Sequence, residues 1–145
     1  MNADITDTAI FEWPWLLRAA AAGQLAIAIL NLCLIRILGW REDLARMPLL
    51  VRQVFHVHCW FISVTLTLFA VMTWRFAGEF STNAVCRWLA AGIGLFWALR
   101  TVLQATYYSS SHWRGQTGRT AIHAALLAIY GGFATVYAMA AFGGG

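Results

Sequence analysis

Residues 87–108 have the sequence RWLAAGIGLFWALRTVLQATYY, an apolar stretch with no acidic residue and with Arg100 as its interior charge. A helix of about 20 such residues crosses the hydrocarbon core of a bilayer. A guanidinium inside that core costs roughly 3 kcal/mol or more unless it has a partner. Arg100 must therefore use neutral acceptors, reach the interface or hold an anion from outside the chain, and we expect it to be functional.

The composition of the whole chain agrees with this membrane assignment. The 145 residues are 61% hydrophobic and 11% charged, with a mean hydropathy of +0.66. This is too little polar material to cover a water-soluble globule. The three cysteines lack CxxC spacing, so neither a disulfide framework nor a thiolate metal site is indicated. The basic residues lie near membrane ends, and no nucleic-acid partner is expected.

Four stretches are long enough to span a membrane, at about residues 15–39, 50–75, 86–108 and 119–142. The connections between them are short, and short connections join antiparallel neighbours. We call residues 40–48 loop one and residues 109–118 loop three. The prediction is an all-α, integral membrane, up-down four-helix bundle that forms a single domain over residues 1–145.

The arginines near the span ends predict the orientation. Six flank loops one and three: Arg36, Arg41, Arg46, Arg52, Arg114 and Arg119. Three flank the other side: Arg18, Arg75 and Arg87. Because basic residues favour the cytoplasmic side, we expect both termini outside and loops one and three in the cytoplasm, in a bacterial inner membrane.

Each predicted span also has a polar stripe at helical spacing, and such stripes face the bundle interior. The first stripe comprises Gln24 and Asn31, which we expect to hydrogen-bond neighbouring helices. The second comprises Gln53, His56, Trp60, Ser63 and Thr67. The third comprises Trp97, Arg100, Thr101, Gln104, Tyr107 and Tyr108. The fourth comprises Arg119, His123, Tyr130 and Tyr137.

His56 and His123 begin different spans at similar depth, roughly 6 to 9 Å below the helix starts, and we expect them to face each other. Two facing imidazoles in a bundle interior can ligate a b-type haem or a metal ion. The predicted cofactor-binding residues are His56, His123, Arg100, Gln104, Tyr107, Tyr130, Gln53 and Arg119, with the two histidines as metal ligands. This hypothesis predicts an oxidoreductase-type redox cofactor and leaves open whether the chain is an enzyme.

A second hypothesis is a site for an anionic amphipathic ligand such as a lipid, a quinone or a thiol cofactor. Arg100, Arg52 and Arg119 would hold its head group. The four spans, the cytoplasmic Arg/Tyr/His site and the outward termini resemble the layout of the membrane-associated eicosanoid and glutathione metabolism family. Residues 52–58, RQVFHVH, stand where that family has an acidic, asparagine-containing motif, so the resemblance implies a layout and no catalytic residue.

A third hypothesis is a non-catalytic accessory subunit of a larger membrane complex, or a homo-oligomer. Small residues favour close helix approach on the third span, at Ala90, Ala91, Gly92 and Gly94. The fourth span has a similar set, at Gly131, Gly132, Ala134 and Ala138. These residues also serve packing within a bundle. Loop one alternates basic, acidic and apolar residues, so we expect it to lie on the anionic leaflet and roof the histidine site.

Overall fold

Four long helices and one short helix make up the part of the chain that the structure describes. The computed structural model describes residues 13–80, 82–107 and 117–143. Its helices are α1 (Trp13–Ile37), α2 (Arg41–Arg46), α3 (Leu49–Phe76), α4 (Ala84–Thr106) and α5 (Thr117–Phe142). The four long helices are long and apolar enough to cross a membrane. The predicted all-α bundle of four candidate membrane spans is confirmed.

The predicted span ends lie within two residues of the helix ends, and local capping explains where two helices stop and start. Gly39, with φ of 68°, follows α1. The N–H of Trp40 donates to the carbonyl of Ile35 at 3.1 Å, which satisfies an open carbonyl of the last turn. At the start of α4, the side chain of Asn83 accepts from the N–H of Val85 at 2.8 Å.

Loop one contains a helix that the sequence analysis treated as a connection. α2 has only six residues, and its Leu44 is buried at 5% exposure. Six residues are too few for an amphipathic period to stand out from a charged turn. The buried leucine holds this short helix against the longer ones.

The long helices pack mainly as two antiparallel pairs, α1 with α3 and α4 with α5, and α1 also touches α5. Gly94 lies at the α4–α5 contact, where an added Cβ would come within 3.3 Å of the Cβ of Tyr137. Ala90 on the same helix is fully buried. These two small residues therefore serve packing within the bundle. Gly92 and Gly132 are exposed, with open space around them.

Burial is concentrated at the end of the bundle that contains the turn between α3 and α4. Phe80 in that turn is fully buried, and Leu17 near the start of α1 is 1% exposed. Toward loop one, the last buried residue of α1 is Ala28 and the first buried residue of α3 is Ser63. The α1–α3 pair is thus more open near loop one, and a groove lies there.

Candidate functional site

His56 lies on the third turn of α3, near loop one. Its Nδ1 is 2.7 Å from the carbonyl oxygen of Arg52. Since a carbonyl oxygen only accepts, Nδ1 bears the hydrogen of this bond and Nε2 of the neutral ring has the lone pair. The side chain is exposed. His56 is therefore held in one orientation by its own helix, with a second nitrogen free to meet a ligand.

An open groove of about 460 Å³ lies beside His56, between α1, α2 and α3. Its lining residues are Leu32, Ile35, Arg36, Arg41, Leu44, Ala45, Arg52 and His56. We call this the basic groove. Among the residues that the structure describes, its lining has three arginines and a histidine but no carboxylate, and the other four lining residues are apolar. A lining that combines cationic and apolar side chains suits an anionic amphiphile.

Local sequence features bring the basic groove together. Arg36 lies in the last turn of α1, where a cation is favoured by the helix dipole. The left-handed Gly39 then reverses the chain so that α2 starts at Arg41. The ring of Trp40 packs edge-on against Phe55 of α3, with centroids 6.5 Å apart. This aromatic contact ties the turn before α2 to the helix that provides Arg52 and His56.

Other predicted site residues meet between α4 and α5. Gln104, buried at 3% exposure, has its Nε2 3.0 Å from Nδ1 of His123. The guanidinium of Arg100 lies over the ring of Tyr130, 5.0 Å from its centroid. Trp97 stacks on the same ring at 5.2 Å. Arg100 therefore has a neutral aromatic partner on the neighbouring helix α5. Its role in holding an anion stays a prediction.

The remaining predicted site residues are dispersed. Gln53 is exposed and lines a separate depression together with His58. Tyr107 is 81% exposed at the end of α4. Tyr108 and the side chain of Arg119 lie outside the described residues.

The facing of His56 and His123 stays a prediction. The contacts described above give His56 a partner on its own helix, α3, and His123 a partner on α4. Within the described part of the chain, no three His, Cys, Asp or Glu side chains form a group that could hold a metal ion. The haem and metal hypotheses thus depend on the two imidazoles themselves.

The polar residues of α1 do bind neighbouring helices, as predicted. Asn31 donates to the carbonyl of Cys59 at 2.8 Å and to Oγ of Ser63 at 2.9 Å. The hydroxyl of Ser63 in turn donates to the carbonyl of Ala28 at 3.1 Å. These bonds join α1 to α3 just inside the basic groove.

Gln24 lies at the centre of a second network that joins all four long helices. Its amide donates to the hydroxyl of Tyr137 and accepts from the indole N–H of Trp97 at 3.3 Å. The hydroxyls of Tyr137 and Thr73 are 2.6 Å apart and hydrogen-bonded. All four side chains are at most 1% exposed. The network is closed and buried, so its role is structural.

Sequence reasoning missed Arg36 and Arg41 as site residues, although it used both to predict the orientation. The available signal was their position on either side of Gly39, close in the chain to Arg52 and His56. It also missed Thr73, which continues the buried spacing of Ser63, Leu66 and Ala70 along α3.

No protein-family model, no curated protein and no solved structure matches this chain. Its function is accordingly inferred from the chemistry of the residues described above.

Proposed function

We propose that this chain is an integral membrane protein that binds the phosphate-bearing head group of an anionic amphiphile in the basic groove. The observation that supports the proposal is the composition of the groove lining: Arg36, Arg41, Arg52 and His56 without a carboxylate. Three cations with no acid among them leave positive charge for a ligand to neutralise. Arginine is suited to this task because its planar guanidinium binds phosphate oxygens in pairs.

The position of the groove favours a lipid-like ligand over a free anion. Arg36 lies one residue before the end of a candidate span and Arg52 three residues after the start of another, so both belong near the membrane–water interface. Basic residues at that position attract anionic lipid by about 1 kcal/mol each. The apolar lining residues Leu32, Ile35 and Leu44 offer contact area for glycerol and the first methylenes of an acyl chain. The exposed Nε2 of His56 can accept a hydrogen bond from a head-group hydroxyl.

Native mass spectrometry of the detergent-solubilised protein with phosphatidylglycerol tests the proposal. Arg36→Gln and Arg52→Gln should each weaken binding about tenfold, since a hydrogen bond to a charged group contributes roughly 1.5 kcal/mol or more. Arg18→Gln and Arg75→Gln are matched controls, because each makes the same charge change at the other end of the same helix. Both controls should bind as the unchanged protein does.

Two further arms identify the ligand class. Phosphatidylcholine, whose head group has no net charge, should bind more weakly than phosphatidylglycerol. Inorganic phosphate at millimolar concentration should not displace the lipid, because the apolar lining residues of the groove add to lipid binding and not to phosphate binding. Equal binding of the two lipids, or equal losses in the control variants, would contradict a specific anionic site.

A haem or metal site that includes His56 is the second candidate function. The observation that favours it is the bond from Nδ1 to the Arg52 carbonyl, because metal-ligating histidines commonly donate their other ring N–H to a carbonyl or carboxylate. Haemin added to purified protein should then have a shifted and sharpened Soret band, and His56→Ala and His123→Ala should both remove the shift. If the spectrum stays that of free haemin, the haem site is excluded.

A further inference from the structure

One side of α3 has an exposed apolar stripe that faces away from the bundle. Its members alternate at spacings of three and four residues: Val54, Val57, Phe61, Val64, Leu68 and Val71. Each is between 45% and 69% exposed. The buried residues of α3 lie on the opposite side, at Ser63, Leu66, Ala70 and Thr73. We call the exposed set the outer stripe, and its spacing is the heptad spacing of helices that pair with one another.

Polar side chains border the outer stripe, and one of them, His58, lies at a depth where lipid alone would be a poor neighbour. Gln53 borders one side and His58 the other, and both are exposed. His58 is nine residues after the first residue of α3, about 13 Å along the helix axis. An amide or imidazole that faces hydrocarbon without a partner is costly, and such groups mark contacts between helices. A helix surface that contacts only lipid is not expected to have an imidazole at this depth.

We infer that α3 pairs in parallel with α3 of a second copy of this chain through the outer stripe. In a parallel two-helix pair, a residue that borders the seam on one helix meets the residue five positions later on the other helix. Gln53 therefore meets His58 of the second copy. Trp60 meets Thr65 in the same way one heptad further along, and two-fold symmetry repeats both contacts.

The hydrogen-bonding groups of these pairs are complementary. The amide of Gln53 both donates and accepts, and so does neutral imidazole. The indole N–H of Trp60, whose ring is 63% exposed, is a donor. The hydroxyl of Thr65 donates to the carbonyl of Phe61 at 2.9 Å, which leaves its lone pairs to accept from the indole of the second copy.

The surface already contains a hole for a side chain of the second copy. A depression of about 290 Å³ is lined by Gln53, Val54, Val57, His58 and Phe61. Four of these have the spacing of the residues that surround an inserted side chain in a parallel coiled coil, at relative positions 0, 3, 4 and 7. Val57 of the second copy fits this hole. The basic groove lies on another side of α3, so pairing leaves it open.

Disulfide cross-linking in liposomes tests the inference. Single cysteines are introduced as Val54→Cys, Val57→Cys and Phe61→Cys in a background with Cys33, Cys59 and Cys86 replaced by alanine. Copper phenanthroline should then produce a covalent dimer at each of the three positions. The control keeps the native Cys59 alone, because that residue is half-buried on the α1 side of α3, and it should remain monomeric.

The side of α3 on which cross-links form decides the outcome. Efficient cross-linking at Cys59 with none at the outer stripe, equal cross-linking at all four positions, or none at any position would overturn the inference. Because these cysteines replace exposed side chains, loss of the fold does not account for a negative result if circular dichroism still shows the helices.

A second measurement uses the dimer fraction of labelled protein, counted by single-molecule photobleaching in a large excess of lipid. His58→Leu removes both symmetric Gln53–His58 bonds and should weaken dimerisation roughly tenfold, at about 0.6 kcal/mol for each bond. Thr135→Leu makes a similar polar-to-apolar change on the exposed face of α5 and should leave the dimer fraction unchanged. Equal effects of the two variants would refute the pairing.

Discussion

The hydroxyl of Tyr137 connects three helices through two hydrogen bonds. It accepts a hydrogen bond from Gln24 of α1 and is hydrogen-bonded to the hydroxyl of Thr73 of α3, with either hydroxyl able to donate. All three side chains are fully buried, so each of these groups depends on the others for its hydrogen bonds. The sequence predicted that Gln24 would join helices, and the structure adds that one phenol provides the meeting point.

Tyr137→Phe should lower the free energy of unfolding by about 1–3 kcal/mol, the cost of leaving buried polar groups unsatisfied. The ring and its packing against Phe80, at 6.3 Å between centroids, are kept. Reversible unfolding in mixed micelles at increasing sodium dodecyl sulfate measures the change. Thr135→Val, which removes an exposed hydroxyl that bonds within its own helix, is the control and should have a smaller effect.

A double-mutant cycle separates the Tyr137–Thr73 bond from the rest of the network. Thr73→Val alone should destabilise, and Thr73→Val combined with Tyr137→Phe should cost less than the two single changes added together, because the shared bond is lost once. Strict additivity would mean that the two hydroxyls do not interact in the folded protein.

At the scale of the helix, Gly39 determines where α1 ends and how the basic groove begins. Its φ of 68° is in the left-handed region, where a Cβ costs roughly 1–2 kcal/mol. Open space surrounds it, so strain in the backbone is the reason for glycine at this position.

Gly39→Ala should destabilise the protein by about 1 kcal/mol and weaken phosphatidylglycerol binding, since Arg36 and Arg41 lie on either side of the turn. Gly78→Ala is the matched control, because Gly78 also has open space around it and no positive φ. Denaturant midpoints and native mass spectrometry measure both effects. A binding loss as large in Gly78→Ala would contradict the role assigned to the Gly39 turn.

The sequence predicted the long helices well because each is a long apolar run, and polar or glycine-containing turns separate one run from the next. Its prediction that the polar stripes face the bundle interior holds for Gln24, Ser63 and Gln104, which are buried. It is wrong for Gln53, Trp60 and Tyr107, which are exposed. Helical spacing gives the direction of a side chain but not the identity of its neighbour. The contact of Gln104 with His123 therefore needed the structure, although both residues were predicted for one site.

The basic groove shows the same limit from the other direction. Arg52 and His56 were both predicted as site residues, with partners expected on other spans. Their neighbours in the groove come from α1 and α2, which are close in sequence. The six-residue helix α2 is the element that sequence periodicity could not reveal, and it provides one wall of the groove.

In the whole molecule, the most buried residues and the basic groove lie toward opposite ends of the bundle. The closed network of Gln24 and Tyr137 and the fully buried Phe80 lie toward the end with the α3–α4 turn. The α1–α3 pair opens toward loop one, where the basic groove lies. Substitutions in the groove should therefore leave the packed end, which holds the two pairs together, undisturbed.

The predicted orientation places the basic groove at the cytoplasmic leaflet, and reporter fusions test it. The six arginines around loops one and three, against three at the other end, favour this orientation because basic segments are retained on the cytoplasmic side. Alkaline phosphatase fused after residue 145 should be active and green fluorescent protein fused there dark. Fusions within loop three should give the reverse. Fluorescence of the C-terminal fusion would mean that the orientation is the opposite one and that the groove lies at the outer leaflet.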